Sequence, residues 1–408
     1  MNGKYELKIS KSDIYTLIYS MFIVPFLIPD GLCYVSWLSL FFSFARLLKP
    51  IFGYIMVFLF IIKKNKLEKK FVYPLLFVFV LMLDTLVNMV DINSLLYALN
   101  YCINFLGIFL WFVNVPEDCI RKCFKAIVFV TSLVAVLNLF YLIYQPEGFT
   151  LNIEGYEKVY ICGGENSMAI YLIPSLALFL SLINSEFSKL SIIVDLIISI
   201  LFCLPLFLVW TGTGIGCFFL FSLLLVVVKL ERLIKLKEVI TIKNIVISAL
   251  VLSVFVFGVE YFNPFEWFTV TFLNKSSNFS GRTVLWKQAF ELVFNHPFFG
   301  LGILSNNRLY WSGTYYYSAH NIFLFFGTWG GLPGIYLFLK SIMVADQSND
   351  KKTVKEGRPY LCLIIGLAAS ILYFTFECQI NINIFLVLLC VGAKWNLIEE
   401  TDNNTIRR

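Results

Sequence analysis

Apolar residues run along this chain in continuous stretches rather than in alternation, and short polar breaks separate one stretch from the next. A run of about 20 apolar residues crosses the roughly 30 Å of a bilayer's hydrocarbon as a helix, whereas barrel strands alternate with a period of two. The pattern therefore predicts an all-α polytopic membrane protein with about twelve spans. They fall near Ile14 to Ile28, Phe41 to Ile62, Phe71 to Val90, Leu95 to Val113 and a fifth run ending at Tyr144. Next come Met168 to Ile183, Leu190 to Val209, Gly214 to Val228 and Ile245 to Phe262, and finally His320 to Met343, Tyr360 to Phe376 and Ile382 to Trp395.

The polar breaks orient these spans. Lys63, Lys64, Lys66, Lys69 and Lys70 follow the second, Arg121, Lys122 and Lys125 the fourth, and Lys229, Arg232, Lys235 and Lys237 the eighth. Lys340, Lys351, Lys352, Lys355 and Arg358 mark the far end of the tenth. All fall on one side under a single threading, which the positive-inside rule makes cytoplasmic, together with both termini. The segment 145–166 has Glu147, Glu154 and Glu157 against Lys158, as an external loop would. Lys4, Lys8 and Lys11 ahead of an apolar run resemble a signal peptide, but Pro29-Asp30-Gly31 follows in place of a small-residue cleavage site, so an uncleaved first span is expected. Three regions result: a bundle over 1–262, a large external loop over 263–319 with an amphipathic helix, and spans ten to twelve with a cytoplasmic tail over 320–408.

Composition agrees. The 408 residues are 59% hydrophobic and 14% charged, against roughly 45–50% and 25% in soluble domains. The net charge of +6 resides in the basic loops and points to no nucleic-acid partner. The ten cysteines are scattered without CxxC pairs or histidine partners and read as small core residues, with no metal site and no cofactor implied.

Chemistry on a polar substrate has few places to occur, and the stretch from Ser280 to Gly334 is the foremost. Thr283 to Asn295 sets Leu285, Ala289, Leu292 and Val293 on one face of an amphipathic helix, with Ser280 as N-cap and Pro297 as its stop. Arg282 beside that N-terminus opposes the helix dipole, so it either holds an anion there, snorkels to headgroups, or pairs with Glu260 or Glu266. His320 opens a span, where the dipole favours neutral imidazole, a general base for a hydroxyl; an interfacial hydrogen-bonded histidine fits equally. His296 reads as a helix cap. Gly327 with Gly331 and Gly330 with Gly334 give two overlapping GxxxG spacings for close helix approach, with Pro333 as a kink. Tyr310-Trp311 and Tyr315-Tyr316-Tyr317 form either an interfacial belt or a sugar-stacking surface. Arg46, Lys49, Glu260 and Glu377 fall at external span ends, on the side of Arg282 and His320, while Asp84 and Asp195 lie deeper.

Ser280-Gly281-Arg282 followed by Trp286, then His296-Pro297-x-x-Gly300-x-Gly302, then His320-Asn321 with Gly330 and Gly334, resemble in that order the O-antigen polymerase and O-antigen ligase family of membrane glycosyltransferases. Glu165-Asn166 looks like that family's asparagine-containing segment, and the topology matches along most of the chain. The resemblance implies that Arg282 and His320 bind a lipid-linked pyrophosphate donor and activate the acceptor. Asn166, Arg308, Tyr317 and Asn321 are further expected substrate contacts. The chain departs from the family twice. Thr211-Gly212-Thr213-Gly214 stands where an arginine is common, leaving the diphosphate with fewer charges or with Arg46, Lys49 or Arg308 as substitutes. Trp329 replaces an acidic residue, and Glu377 is the candidate to compensate.

The implied reaction transfers a glycan from undecaprenyl diphosphate to a sugar hydroxyl on the external face of a bacterial plasma membrane. It needs no nucleotide donor, and no aspartate-rich metal motif is present. The acceptor is another lipid-linked repeat unit in a polymerase, the reading that the motifs favour, and the lipid A core in a ligase. A chain-length regulator is an expected partner of a polymerase. A polyprenyl-linked glycan flippase would also have about twelve spans, but its midplane site and internal repeat are not evident.

Overall fold

The computed structural model describes residues 10–63, 67–88, 91–149, 158–186, 191–230, 240–258, 282–303, 309–311, 314–316, 318–346, 358–378 and 381–399. Its helices are α1 (Lys11–Leu27), α2 (Ser39–Lys63), α3 (Val72–Val87), α4 (Ile92–Asn114), α5 (Glu117–Tyr144), α6 (Ala169–Glu186), α7 (Ile192–Leu208), α8 (Gly212–Lys229), α9 (Ile242–Gly258), α10 (Arg282–Asn295), α11 (Ile322–Ile342), α12 (Arg358–Phe376) and α13 (Asn383–Ala393). Two short antiparallel hairpins join them, β1 (Val159–Tyr160) with β2 (Gly163–Gly164) and β3 (Leu309–Trp311) with β4 (Thr314–Tyr316).

The chain is a multi-pass helical membrane protein. Each of the twelve expected spans coincides with a helix, and eight of these (α2 to α6, α8, α11 and α12) are long and apolar enough to cross a bilayer. Helices α7, α9 and α13 are apolar but shorter. Much of the expected external loop, including Ser280, Gly281, Glu260 and Glu266, lies outside the described residues, as do Arg308 and Tyr317. Local sequence fixes several helix starts. Ser10 and Asp13 form a reciprocal capping box for α1, Asp91 accepts from the Ser94 amide of α4 at 2.7 Å, and Ser191 caps α7.

Helix α12 is the central post. It is 83% buried over its apolar window, against 22% for the peripheral α2, and it packs on α6, α8, α9 and α13. Its small residues allow this: a Cβ at Gly366 would lie 2.2 Å from that of Ala177 on α6, so the two backbones approach as only glycine permits.

Helix α11 is broken rather than continuous. Gly331 adopts φ 59° and ψ −158°, and Pro333 opens the second half, two residues past the break. Into this break fits the segment His296–Gly302. Leu301 N–H donates to Thr328 O at 2.8 Å, Gly302 N–H to Trp329 O at 2.9 Å and Leu332 N–H to Pro297 O at 2.8 Å. The other side of the segment rests on the end of α3, where Asp84 Oδ2 accepts from Gly300 N–H at 3.1 Å and Thr85 Oγ1 from Ile303 N–H at 2.8 Å. The glycine spacings thus do more than admit a helix. Gly330 faces Leu81 and Val80 of α3, whereas Gly331 faces the Pro297 carbonyl.

Charge separates to the two ends of the bundle. One end gathers Lys63, Lys70, Arg121, Lys122, Lys125, Lys229 and Lys394, bonded to Asn114 O, Ala393 O, Ile398 O, Asp13, Glu186, Asp195 and Glu68. There the buried Lys229 and Asp195 pair directly, with Asn184 bridging them. Asp84 and Asp195 are therefore structural partners. The opposite end carries Arg282, His320 and Glu377 and is called the site end below.

Close helix approach predicts a contrast between two glycines. Gly366→Ala should destabilise the purified protein by about 1–3 kcal/mol, as overpacking does. Gly216→Ala, with nothing within 4 Å of its Cβ, should be neutral or slightly stabilising on helix propensity. Thermal unfolding in one detergent compares them, and equal melting temperatures would contradict the packing described.

Candidate functional site

Three elements converge at the C-terminal tip of α12. Glu377 follows the helix directly, its N–H donating to Tyr373 O at 2.8 Å, and its side chain is 1% exposed. An ionised carboxylate at such a place costs several kcal/mol unless donors surround it. Two cationic or protonated groups supply them. Arg282, the first residue of α10, donates Nη2–H to Glu377 Oε1 and Nη1–H to Phe376 O at 3.0 Å. His320 places Nδ1 2.9 Å from Glu377 Oε2. Arg282 and His320 are 18% and 28% exposed, so the carboxylate is sealed beneath groups that still reach the surface.

The turn before α11 aims the imidazole. His320 has φ +52°, a left-handed conformation that histidine adopts more readily than most residues, and its N–H donates to Ser318 Oγ at 3.1 Å. Asn321 then caps α11, its Oδ1 accepting from Phe323 N–H at 3.0 Å and Leu324 N–H at 3.1 Å. Its Nδ2 reaches Thr375 O at 3.0 Å and Ser253 Oγ at 3.4 Å, tying α11 to α12 and α9. Asn321 is fully buried, so it holds His320 and Glu377 in register rather than facing a ligand.

Burial alone would push the Glu377 carboxyl up, but Arg282 and His320 outweigh it and hold it below the ordinary glutamate range. Nδ1–H donation to this carboxylate leaves the lone pair of neutral imidazole on Nε2, the arrangement of an oriented general base. The negative charge expected beside Arg282 is thus Glu377. The guanidinium has five N–H donors, of which two are used here, so it can still donate to a second anion.

Other expected residues stand around this unit. Tyr373, one helical turn before Glu377, donates its hydroxyl to Asn166 O, which brings the segment before α6 to the site. Lys49 is buried at the site end beside Asp30 at 3.7 Å and donates to Ile28 O at 3.4 Å. Asn381 donates to the other Asp30 oxygen at 2.9 Å. Lys49 joins the α12–α13 connection only through Asp30, and Arg46 is an exposed neighbour of Lys49 on α2. Neither is bonded to Glu377. Helix α10 buries Leu285, Trp286, Ala289 and Val293, and Gln288 clamps β3 by donating to Tyr310 O at 2.7 Å and accepting from Tyr310 N–H at 2.8 Å. The roles of Asp30, Ser318 and the Phe376 carbonyl had no signal in the sequence. Among the described residues no cluster of three or more His, Cys, Asp or Glu could hold a metal ion.

Neutralising Glu377 should cost stability. Glu377→Gln keeps the shape but leaves Arg282 unpaired; buried pairs that lose a partner cost about 3–5 kcal/mol, and partial exposure of Arg282 puts this one at the lower edge. Because the folded carboxyl lies below its ordinary value, its contribution is complete above the ordinary glutamate pKa and is lost as pH falls through the lowered one. Melting curves against pH should show a steeper acid loss in the wild type than in Glu377→Gln; parallel curves would refute the assignment.

No curated protein and no solved structure matches the chain. Residues 169–339, from the start of α6 into α11, match the family model described as O-antigen ligase, a stretch that takes in Arg282, His320 and Asn321 and stops short of Glu377. The chain is thus a multi-pass helical membrane protein with a central stretch similar to the O-antigen ligase model, consistent with the O-antigen polymerase and ligase family of membrane enzymes.

Proposed function

We propose that the chain is a surface-polysaccharide polymerase, which moves a glycan from undecaprenyl diphosphate to a hydroxyl of another lipid-linked repeat unit. The observation that carries this reading is the bond from His320 Nδ1 to the buried Glu377 carboxylate, made beside Arg282. In the step proposed, the acceptor oxygen bonds to the anomeric carbon while the bond from that carbon to the diphosphate oxygen breaks. The hydroxyl proton passes to His320 Nε2, and polyprenyl diphosphate leaves with the bonding pair. Arg282 holds Glu377 and turns its remaining N–H groups to the departing charge. A positioned base is worth roughly 10²- to 10⁴-fold, and orientation of the two sugars supplies the rest. The excess of basic groups at the far end supports, by the positive-inside rule, an external site end in a bacterial plasma membrane, with both termini cytoplasmic.

The ligase reading has one observation in its favour, the description of the matching family as O-antigen ligase. Deleting the gene separates the two. Loss of the ladder with core bearing one repeat unit identifies a polymerase; bare core with accumulated lipid-linked polymer identifies a ligase. Complementation with Arg282→Ala or His320→Ala at matched membrane levels should fail in either case, with turnover in membranes lowered at least about 100-fold. Full ladders from both variants would overturn the site.

Metal independence is part of the proposal. Purified enzyme should keep its turnover in EDTA, and a loss restored by a divalent ion would defeat it.

A further inference from the structure

The site end holds a buried charge that the transfer step does not use. Lys49 lies within α2 and is 6% exposed, a place where an ionised group needs both a partner and a reason to be there. Its carboxylate partner among the described residues is Asp30, at 3.7 Å, and it also donates to Ile28 O at 3.4 Å. The pair is lopsided. Lys49 is sealed, whereas the Asp30 side chain is 60% exposed. A carboxylate that served only to neutralise a buried lysine would do so best enclosed with it, where the low dielectric strengthens their attraction. This one is presented to the surface.

The other Asp30 oxygen is held from a second element, accepting from Asn381 Nδ2 at 2.9 Å. An exposed side chain ordinarily keeps its rotamer freedom, but here α2 and the connection between α12 and α13 each fix one oxygen. The backbone beneath is fixed too. Asp30 opens a single 3₁₀ turn, Asp30–Tyr34, which packs on α2. Gly31 is buried, and a Cβ there would collide with the Tyr160 carbonyl, so the turn is seated on β1. Each carboxylate oxygen has two acceptor positions, so a lone pair on each remains for a further donor.

Groups of complementary chemistry surround this carboxylate. Arg46 is exposed one helical turn before Lys49 on the same face of α2, and both Arg46 and Asp30 lie close enough to Cys33 to act on its thiol electrostatically. Tyr34, at the other end of the 3₁₀ turn, is 41% exposed. Its ring is braced against Phe149 at 6.2 Å between centres, and Phe149 stacks on Tyr141 at 4.5 Å. The catalytic unit is near. Asn381 follows Glu377 by four residues, which span at most roughly 14 Å of chain. Asp30, Arg46, Lys49 and Asn381 all lie outside residues 169–339, so the arrangement is a feature of this chain and is not carried by that match.

We infer that Asp30, oriented by Lys49 and Asn381, forms with Arg46 and Tyr34 a saccharide subsite that holds the acceptor glycan. The carboxylate accepts from adjacent sugar hydroxyls, the guanidinium donates to sugar oxygens, and the tyrosine ring covers an apolar sugar face. A sugar offers that combination, with hydroxyls around its rim and C–H groups on its faces. A phosphate does not fit, because Asp30 would repel it and Lys49 is committed to Asp30. Within the reach set by Asn381, a short oligosaccharide seated here can bring its terminal hydroxyl to His320. That the sugar is the acceptor rests on the transfer reading above; sugar binding itself does not.

The probe is the native host's repeat-unit oligosaccharide released from its lipid, which can accept a glycan but not donate one. Its binding to the full chain in phosphatidylcholine nanodiscs, free of sugar detergents, is measured by titration calorimetry. Asp30→Asn should weaken binding roughly tenfold, in keeping with loss of hydrogen bonds to a charged group. At saturating lipid-linked donor it should raise the KM for the oligosaccharide by the same factor and leave kcat nearly unchanged. Asp30→Asn also strands the Lys49 charge, so Asp30→Asn combined with Lys49→Met removes both charges and decides the matter if the single variant does not fold. The double variant should bind as weakly as Asp30→Asn. Wild-type affinity in the double variant, or in folded Asp30→Asn, would make Asp30 a counterion only; it would overturn the subsite and leave the transfer reading intact. No oligosaccharide binding by a preparation active in glycan transfer would overturn it too. Asp30-dependent binding by a chain that transfers no glycan would overturn the acceptor assignment together with the transfer reading and leave a sugar site.

Discussion

A carboxylate buried at the tip of the most enclosed helix is the constraint on which the site depends. Glu377 lies where an unpaired charge is not tolerated, so α10 and the turn before α11 must each deliver a donor to it. Arg282 and His320 come from segments that also pack on each other through Leu285, Trp286, Ala289, Ala319 and Leu324, and one acceptor with two oxygens fixes both polar groups. Charge neutralisation and placement of the imidazole are therefore coupled, on top of the apolar docking of α10. A defect in any of the three partners should be felt by the other two.

The scaffold serves that convergence. Asn321 caps α11 with one side-chain atom and reaches α12 with the other, so the helix that follows His320 cannot shift relative to Glu377 without losing its own start. On the far side, the break at Gly331 receives the His296–Gly302 segment, which leads from α10 and is anchored to α3 through Asp84 and Thr85. Both ends of the functional stretch are thereby pinned to apolar helices. The motif glycines are explained by backbone approach, since a Cβ at Gly300 would meet the Trp329 backbone at 2.3 Å.

The helices were legible in the sequence because continuous apolar runs and basic breaks are set by the membrane itself, and twelve expected spans coincide with helices. Arg282, His320 and Glu377 were each legible as polar groups at one side of the membrane. Their union was not, because 95 residues separate Arg282 from Glu377 and no periodicity links positions that far apart. The same limit hid the bond between Asp84 and Gly300, and the pairing of Lys49 with Asp30, whose carboxylate also receives Asn381. The break in α11 was legible only as a proline kink, whereas the backbone turns at Gly331, where a left-handed residue is needed to admit the Pro297 carbonyl.

The most direct measurement is a double-mutant cycle on glycan transfer in reconstituted membranes, with Glu377→Gln, His320→Ala and the two combined. If Glu377 acts by holding His320, the double variant will be about as slow as His320→Ala alone, because residues that work as a unit are not additive. If instead the two losses multiply, each residue acts independently and Glu377 does not work through the histidine.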